Sequence, residues 1–227
     1  MTEQEQRAAL VEACRAMGGL GLSQGTSGNI SVRHGDRMLI SPSATPYEAM
    51  RPGDVAVMPL RGEYGAWSGP LRPSTEWRFH LDILRERPEI GAVVHGHPTF
   101  CTALAIARRP IPACHYMITA FGGTDVRCAP YATFGTAALS AHALRALDGR
   151  NACLLANHGM IVAGPSLARA MWLAVELEAL ARQYWHSLHC GGPVLLTNAE
   201  VADAAARFST YGAHGGARDA APAQPAA

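Results

Sequence analysis

The sequence contains no lysine, because all nineteen residues counted as Lys or Arg are arginines. A protein without a lysine amine cannot form a Schiff base with a carbonyl substrate, hold pyridoxal phosphate covalently or use a phosphate-loop lysine. Carbonyl chemistry in this chain would therefore need another electrophile, and a metal ion is the natural candidate.

Charged residues and long apolar runs are also scarce. Charged residues make up 16% of the 227 residues and the net charge is +1. This balance argues against a nucleic-acid or anionic membrane surface, which would carry a basic excess. The sequence contains no run of eighteen apolar residues, so no membrane-spanning helix is predicted. Because hydrophobic residues reach 48%, we expect a large core and an oligomer that covers part of the apolar surface.

The six cysteines form no Cys-x-x-Cys pair, and the chain begins with polar and acidic residues. Scattered cysteines are typical of free thiols in a reducing compartment, and a polar start is not typical of a signal peptide. The sequence therefore predicts a cytoplasmic protein without a disulfide framework.

Helix and strand patterns alternate along the chain, with no internal repeat or linker before residue 210. Such mixing predicts a single α/β domain, over residues 1–211, with helices on both faces of a sheet. Residues 212–227 contain seven Ala, three Gly and two Pro, a composition that predicts a flexible tail. The segment 110–131 reads as irregular.

Three histidines lie where predicted strands end. His95 and His97 share one side of a predicted strand over 92–97, and His158 ends a predicted strand over 153–158. Each has an ordinary explanation as a strand-end polar residue or a core histidine. Taken together, they favour a three-histidine metal site that is open to water or substrate. Solvated or packing roles suit most other histidines, including His80 on a predicted helix.

Glu76 follows Ser74-Thr75 at the start of a predicted helix over 74–87. A carboxylate there complements the helix dipole, which is the explanation that spacing alone favours, but it would also suit a general acid/base beside a metal. The loop over 25–29 and the Ser74-Thr75 pair could bind phosphate through N–H and hydroxyl groups, although such loops are often plain turns.

Four stretches together resemble a known family. They are GTSGNISVR from residue 25, PSTEWRFH from residue 73, AVVHGH from residue 92, and Asn157-His158-Gly159. Their order and spacing are similar to those of the class II aldolase and adducin family over residues 5–212. The stretches 115–117, 128–136 and 208–212 are similar to the branch that cleaves L-fuculose 1-phosphate.

The resemblance implies a three-layer α/β/α domain with a mixed, largely antiparallel sheet, in a homotetramer with active sites at subunit interfaces. It implies one Zn²⁺ per subunit held by His95, His97 and His158, with other divalent metals as alternatives, and it implies Glu76 as catalytic acid/base. Tyr116 would reach an adjacent subunit's site, and Tyr211 would lie near that site. The residues implied to bind the substrate phosphate are Thr26, Ser27, Gly28, Asn29, Ser43, Ala44, Ser74 and Thr75.

The implied reaction is the reversible cleavage of a ketose 1-phosphate to dihydroxyacetone phosphate and an aldehyde such as L-lactaldehyde. An aldolase for 5-deoxyribulose or 5-methylthioribulose 1-phosphate would share every catalytic residue and stays an alternative. A pentulose-phosphate 4-epimerase would generally carry Asp in place of Glu76, and a non-catalytic adducin-like module would lose ligands. The chain departs from the fuculose-phosphate branch at Ser43-Ala44, where Thr-Gly is common, and at Thr75, where Ser is common.

Overall fold

The computed structural model describes residues 1–208 of the chain. Tyr211 and the tail 212–227 lie outside the described residues, so the predictions made for them, and the domain boundary at residue 211, stay predictions.

A seven-stranded sheet in the described residues carries the site. In sequence order its strands are β1 (Asn29–His34), β2 (Arg37–Ile40), β3 (Ala56–Pro59), β4 (Ala92–Gly96), β5 (Arg127–Ala129), β6 (Ala152–Leu155) and β7 (Gly159–Gly164). The spatial order is β3-β2-β1-β4-β7-β6-β5. Only the β5–β6 pair of this sheet is parallel, at one edge. The predicted mixed, largely antiparallel sheet is confirmed.

Six α-helices accompany the sheet in residues 1–208. They are α1 (Glu3–Gly19), α2 (Trp77–Glu86), α3 (Thr99–Ile106), α4 (Ala137–Ala146), α5 (Leu167–His189) and α6 (Asn198–Phe208), with 3₁₀ turns at Pro52–Asp54 and Tyr116–Phe121. None of the described helices has the length and apolarity needed to cross a membrane.

Two hydrophobic cores cover the two faces of the sheet. Alternate strand residues point to opposite faces, so Val94 joins the core with α1, α3 and α5, whereas Val93 joins the core with α2 and α4. The expected three-layer arrangement of helices, sheet and helices is therefore confirmed.

The segment that carries His158 differs from the predicted strand over 153–158. Strand β6 ends at Leu155, and β7 begins at Gly159. Asn157 turns the chain between them with φ +54°, a left-handed conformation that Asn tolerates better than most residues. Apolar residues on both sides of this turn make it hard to recognise in the sequence. His158 therefore lies in the turn of a hairpin and does not end a single strand. The irregular segment 110–131 likewise contains β5 and a 3₁₀ turn.

Arginine side chains tie helix ends to neighbouring segments. Arg33 donates to the carbonyl of Leu84, in the last turn of α2, and to that of Ile90, after the helix. Arg127 donates to the carbonyl of Asp148 after α4. A guanidinium presents several donors in a fixed fork, which a lysine amine does not. The arginines thus contribute carbonyl contacts at helix ends that lysine would make less well.

Candidate metal centre and active site

The predicted histidines meet at one end of the β4–β7 pair. In this antiparallel pair Gly96 is opposite Met160, so His97, just after β4, and His158, just before β7, leave the sheet side by side. One ligand nitrogen from each of His95, His97 and His158 lies within 4.8 Å of the others. Residues separated by about sixty positions in the sequence are thereby brought to one point.

Hydrogen bonds hold two of these imidazoles in a fixed orientation. The Nδ1 atom of His95 lies 2.8 Å from the Met160 carbonyl oxygen, to which it donates. The Nδ1 atom of His97 lies 3.1 Å from the Ser27 hydroxyl oxygen, while that hydroxyl donates to the Gln24 carbonyl. With the proton on Nδ1, the lone pair of Nε2 is available for a metal, as in most metal-binding histidines.

A glycine beside the histidines leaves room for the ring of His97. A Cβ added at Gly159 would lie 2.5 Å from both the Gly96 carbonyl oxygen and Cδ2 of His97. Contacts this short cannot persist, so either the hairpin or the imidazole would have to move.

We therefore expect Gly159→Ala to lower the free energy of unfolding by about 1–3 kcal/mol and to weaken metal binding, because His97 is displaced. Calorimetry and metal titration measure the two effects. Gly18→Ala is the control, since nothing lies within 4 Å of a Cβ added at Gly18, near the end of α1. Metal affinity unchanged in Gly159→Ala would contradict the close fit described here.

Glu76 approaches the same histidines from the start of α2. Its Oε2 atom lies 3.1 Å from Nε2 of His95, and its Oε1 atom lies 3.2 Å from Nε2 of His158. Asn29 donates its amide N–H to Oε2 at 3.0 Å. Glu76 occupies the N-cap position of α2, just before the first helical residue, not the first turn predicted from the sequence.

The electrostatics of the cluster favour an ionised Glu76. Burial by itself raises the pKa of the carboxyl, but the rings of His95 and His158 outweigh burial and hold that pKa well below its usual range. Burial by itself lowers the pKa of His95, yet the Glu76 carboxylate raises it overall. Burial, with His95 and His158 nearby, lowers the pKa of His97 to about 3, so His97 stays neutral.

These residues fit a divalent metal ion. Within residues 1–208, His95 Nε2 and Glu76 Oε1 are buried without a hydrogen-bond partner, despite their short contacts. Buried polar atoms without partners are destabilising. A cation beside the imidazoles would satisfy both atoms. Three histidine nitrogens with an open position are a donor set of catalytic zinc sites.

A cavity of about 350 Å³ opens onto the cluster. Its aliphatic hydroxyl groups belong to Ser27 and Thr75. The rings of Tyr131, which also carries a hydroxyl, and Phe134 line it as well and are 54% and 63% exposed. The other lining residues are Glu76, His97, Ala132, Asn157 and His158. The cavity thus combines polar groups, a side suited to an apolar group, and the histidine cluster.

The three segments predicted to bind phosphate adjoin one another. The Ser41 N–H donates to the Ile30 carbonyl beside the 25–29 loop, and the Ser74 N–H donates to the Ser41 carbonyl. Ser43 donates its N–H to the Arg72 carbonyl. Of the eight predicted residues, Ser27 and Thr75 line the cavity; Thr26, Gly28, Asn29, Ser43, Ala44 and Ser74 are not among its lining residues.

Two of these positions have features that bear on their predicted role. The Gly28 N–H donates to the Ser23 hydroxyl, so this N–H is already bonded. Ala44 has φ +50°, a left-handed conformation that favours glycine. The methyl group of Ala44 therefore occupies a turn that a glycine would adopt with less strain.

Tyr116 does not line the cavity that holds the histidines. It is 54% exposed, in the 3₁₀ turn over 116–121, and borders separate cavities with Trp172 and Phe208. A single chain therefore assembles the three histidines and Glu76 without Tyr116. Tyr211, also predicted near the site, lies outside the described residues.

Sequence reasoning gave no site role to His80, Tyr131, Phe134 or Asn157. His80 is fully buried and contacts the Asn29 amide, which contacts Glu76. Its four-residue spacing from Glu76 puts both on one side of the helix start, a signal that could have been used. The aromatic residues lie in an irregular loop, where no periodicity marks a cavity.

A family model described as the Class II Aldolase and Adducin N-terminal domain matches residues 8–185 of this chain. The chain belongs to the class II aldolase and adducin family. Its relatives are named aldolases, so the protein is a class II aldolase, a metal-dependent lyase.

Two relatives and one solved structure illustrate the similarity of this class II aldolase to known proteins. A "5-methylthioribulose-1-phosphate/5-deoxyribulose-1-phosphate aldolase" of Rhodospirillum rubrum is 52% identical over 206 residues, covering 91% of this chain and 92% of the relative. An "L-fuculose phosphate aldolase" of Escherichia coli O6:H1 is 47% identical over 204 residues, covering 89% and 94%. A solved "L-fuculose 1-phosphate aldolase" superimposes with a TM-score of 0.85 at 36% identity, covering 89% of this chain and 95% of that one.

Proposed function

We propose that this class II aldolase is zinc-dependent and reversibly cleaves a ketose 1-phosphate to dihydroxyacetone phosphate and an aldehyde. The observation that carries the proposal is the meeting of three imidazoles and the Glu76 carboxylate beside one cavity, which His97, His158 and Glu76 line. His95, His97 and His158 would hold the ion, and Ser27 would keep the His97 ring in place. When bound, a divalent metal supplies Lewis-acid stabilisation of the negative charge that develops on the substrate.

Glu76 carries the proton transfer at C3 in this proposal. In the cleavage direction Glu76 first takes up a proton, because its resting form is the carboxylate. The C4 hydroxyl then loses its proton, the C3–C4 bond breaks to release the aldehyde, and C3 receives the proton from Glu76. One proton leaves C4 oxygen and one arrives at C3, so the reaction is balanced. In the condensation direction Glu76 removes the same proton from dihydroxyacetone phosphate. The buried position of Glu76 beside His95 and His158 supports this role.

The two ends of the cavity suit the two ends of such a substrate. Hydroxyl groups of Ser27 and Thr75 are suited to the phosphate end, together with the adjoining segments over 41–44 and 72–75. The side formed by Tyr131, Ala132 and Phe134 is suited to an aldehyde with an apolar end.

Two substrate types remain as candidates. L-fuculose 1-phosphate, which would yield L-lactaldehyde, is the type favoured by the sequence motifs and by the 47% identical relative. A 5-deoxyribulose or 5-methylthioribulose 1-phosphate is favoured by the 52% identical relative from Rhodospirillum rubrum. Both types share the phosphate end and differ beyond C4, on the side of Tyr131 and Phe134.

A coupled assay separates these candidates. The zinc-loaded protein is offered each of the three ketose 1-phosphates, and dihydroxyacetone phosphate is measured by NADH-dependent reduction. We expect release of this product from at least one of them, and the highest kcat/KM identifies the substrate type. No release from any of them would contradict the proposed cleavage. In a separate assay with a pentulose 5-phosphate, conversion of this compound without cleavage would indicate an epimerase.

We also propose that the protein is a homotetramer in which Tyr116 exchanges a proton with the aldehyde oxygen at a neighbouring subunit's site. This arrangement is supported by the exposure of Tyr116, which does not line the histidine cavity of its own chain. Tyr211 is proposed to lie near the same site. Light scattering at several protein concentrations would test the tetramer.

Replacing Tyr116 by Phe is expected to lower kcat by about 10- to 100-fold while the protein stays folded and binds metal. The phenol hydroxyl is lost without a change in ring size, and steady-state kinetics measure the effect. Tyr64→Phe is the matched control, because the Tyr64 hydroxyl donates to Asp82, away from the cavity. A wild-type rate in Tyr116→Phe would show that another group handles this proton.

Mixed oligomers test whether Tyr116 acts across the interface. Subunits with Tyr116→Phe retain Glu76, and subunits with Glu76→Gln retain Tyr116. If the two residues serve one site from different subunits, mixing them restores some complete sites, and the activity rises above the average of the parents. Activity equal to that average would contradict the shared site.

A further inference from the structure

Four buried polar side chains form one continuous hydrogen-bonded chain that ends at Glu76. The Ser31 hydroxyl oxygen lies 2.8 Å from Nδ1 of His80, and Nε2 of His80 lies 2.6 Å from the Asn29 amide oxygen. The Asn29 amide nitrogen lies 3.0 Å from Oε2 of Glu76. All four side chains are buried, and Ser31 and His80 are completely inaccessible to solvent.

The Asn29 amide determines the direction of every bond in this hydrogen-bonded chain. Its nitrogen faces Oε2 of Glu76 and its oxygen faces Nε2 of His80, and an amide nitrogen donates whereas an amide oxygen accepts. His80 must then carry its proton on Nε2 and donate it to Asn29. Its Nδ1 atom is left as an acceptor, so the Ser31 hydroxyl donates to it. A single neutral tautomer of His80 therefore agrees with all three contacts.

The hydrogen-bonded chain of side chains connects strand β1 with the start of α2, directly beside the histidine cluster. Asn29 and Ser31 are two residues apart on β1 and point to one face, while Glu76 and His80 are four residues apart at the start of α2. Asn29 is also the residue opposite His95 in the β1–β4 pair. The amide that contacts Glu76 thus comes from a strand bonded to the strand that carries His95.

Packing alone does not require this chain. Many apolar residues surround α2, and an apolar residue at position 80 would avoid the burial of a polar ring. A fully bonded polar chain in a core specifies one arrangement of its members. Here the group whose orientation is fixed is the carboxylate of Glu76.

We propose that His80 is a positioning residue for Glu76: acting through Asn29, it holds the carboxylate in the direction that faces the three histidines. The role rests on the proposed function, in which Glu76 moves the proton at C3. His80 does not touch the substrate or the metal ligands' nitrogen atoms in this role, and it transfers no proton. It keeps the Asn29 amide from rotating, and the amide keeps Oε2 in place.

Two amide substitutions of similar size separate positioning from packing. In His80→Gln the side-chain nitrogen reaches the place of imidazole Nε2 and can still donate to Asn29. In His80→Asn the shorter amide reaches only the place of Nδ1, near Ser31, and the donor to Asn29 is lost. Both variants lose the ring that stacks on Phe79 at 4.7 Å, so a packing role predicts equal effects.

We expect His80→Asn to lower kcat by about 10- to 100-fold, with KM and metal content near the wild-type values. His80→Gln is expected to retain most of the wild-type kcat. His34→Asn is the control, because it makes the same substitution at the far end of β1, outside the hydrogen-bonded chain that ends at Glu76. Equal losses in the two His80 variants, wild-type rates in both, or a loss of kcat that follows loss of metal would each overturn the proposal.

A measurement without turnover keeps this test separate from that of the proposed function. Ring ¹⁵N chemical shifts of the wild-type protein report the tautomer of His80, and we expect the neutral Nε2–H form. The Nδ1–H form would contradict the assigned hydrogen bonds, in which His80 donates to Asn29 and accepts from Ser31. If the wild-type protein cleaves no ketose 1-phosphate, the proposed function fails. If it cleaves one and His80→Asn matches the wild type, only the positioning role fails.

Discussion

Replacing Glu76 by Gln is expected to lower kcat by about 10²- to 10⁴-fold while the protein keeps its metal. The amide has the shape of the carboxylate and can still accept the Asn29 N–H at its oxygen. It cannot deliver or remove a proton at C3, because an amide has no titratable group near neutral pH. Because the three histidines are unchanged, metal content measured by mass spectrometry should stay near one ion per subunit.

The control for this result is Glu12→Gln, which removes a carboxylate that pairs with Arg15 on the exposed side of α1. Its kcat should equal that of the wild type. Undiminished aldol cleavage in Glu76→Gln would remove the proposed acid/base role. Loss of metal in Glu76→Gln would instead show that the carboxylate is needed to hold the ion.

Replacing His97 by Ala is expected to abolish both metal binding and turnover. His97 supplies one of three imidazole nitrogens, and its removal should weaken metal affinity by more than about 100-fold, because even a residue that only supports a ligand contributes 10- to 100-fold. The melting temperature provides a second measurement. Metal that binds the folded state stabilises it, so a chelator should lower the melting temperature of the wild type and leave that of His97→Ala unchanged.

His189→Ala is the matched control for this prediction, because its exposed ring bonds the Trp185 carbonyl at the end of α5 and neither residue lines the histidine cavity. It should retain the metal, the rate and the response to chelator. Stoichiometric metal in His97→Ala, together with wild-type turnover, would contradict the proposed three-histidine ligand set.

The parts of the site that follow from local patterns could be predicted from the sequence. His95 and His97 are two residues apart before a proline, so their common side follows from strand geometry. Glu76 could be placed at a helix start because serine, threonine and an acidic residue precede an apolar periodic segment. The three layers and the antiparallel sheet were expected from the family resemblance.

Other features depend on contacts that no local pattern encodes. The turn at Asn157 interrupts an apolar run that reads as one strand, because periodicity does not report a reversal inside a buried hairpin. The bonds of His80 with Ser31 and Asn29 join residues about fifty positions apart. Tyr116 reads as a site residue from its motif, yet its own chain keeps it apart from the histidines.

The division of the cavity between separate elements has a consequence for how new specificities could arise. The histidines and Glu76 belong to the central strand pair and the start of α2, whereas Tyr131 and Phe134 lie in the connection between β5, at the edge of the sheet, and α4. Replacement of that connection alone, in evolution or by laboratory recombination, would therefore change which aldehydes are accepted. The histidines and Glu76, which are proposed to act on the C3–C4 bond, would stay the same.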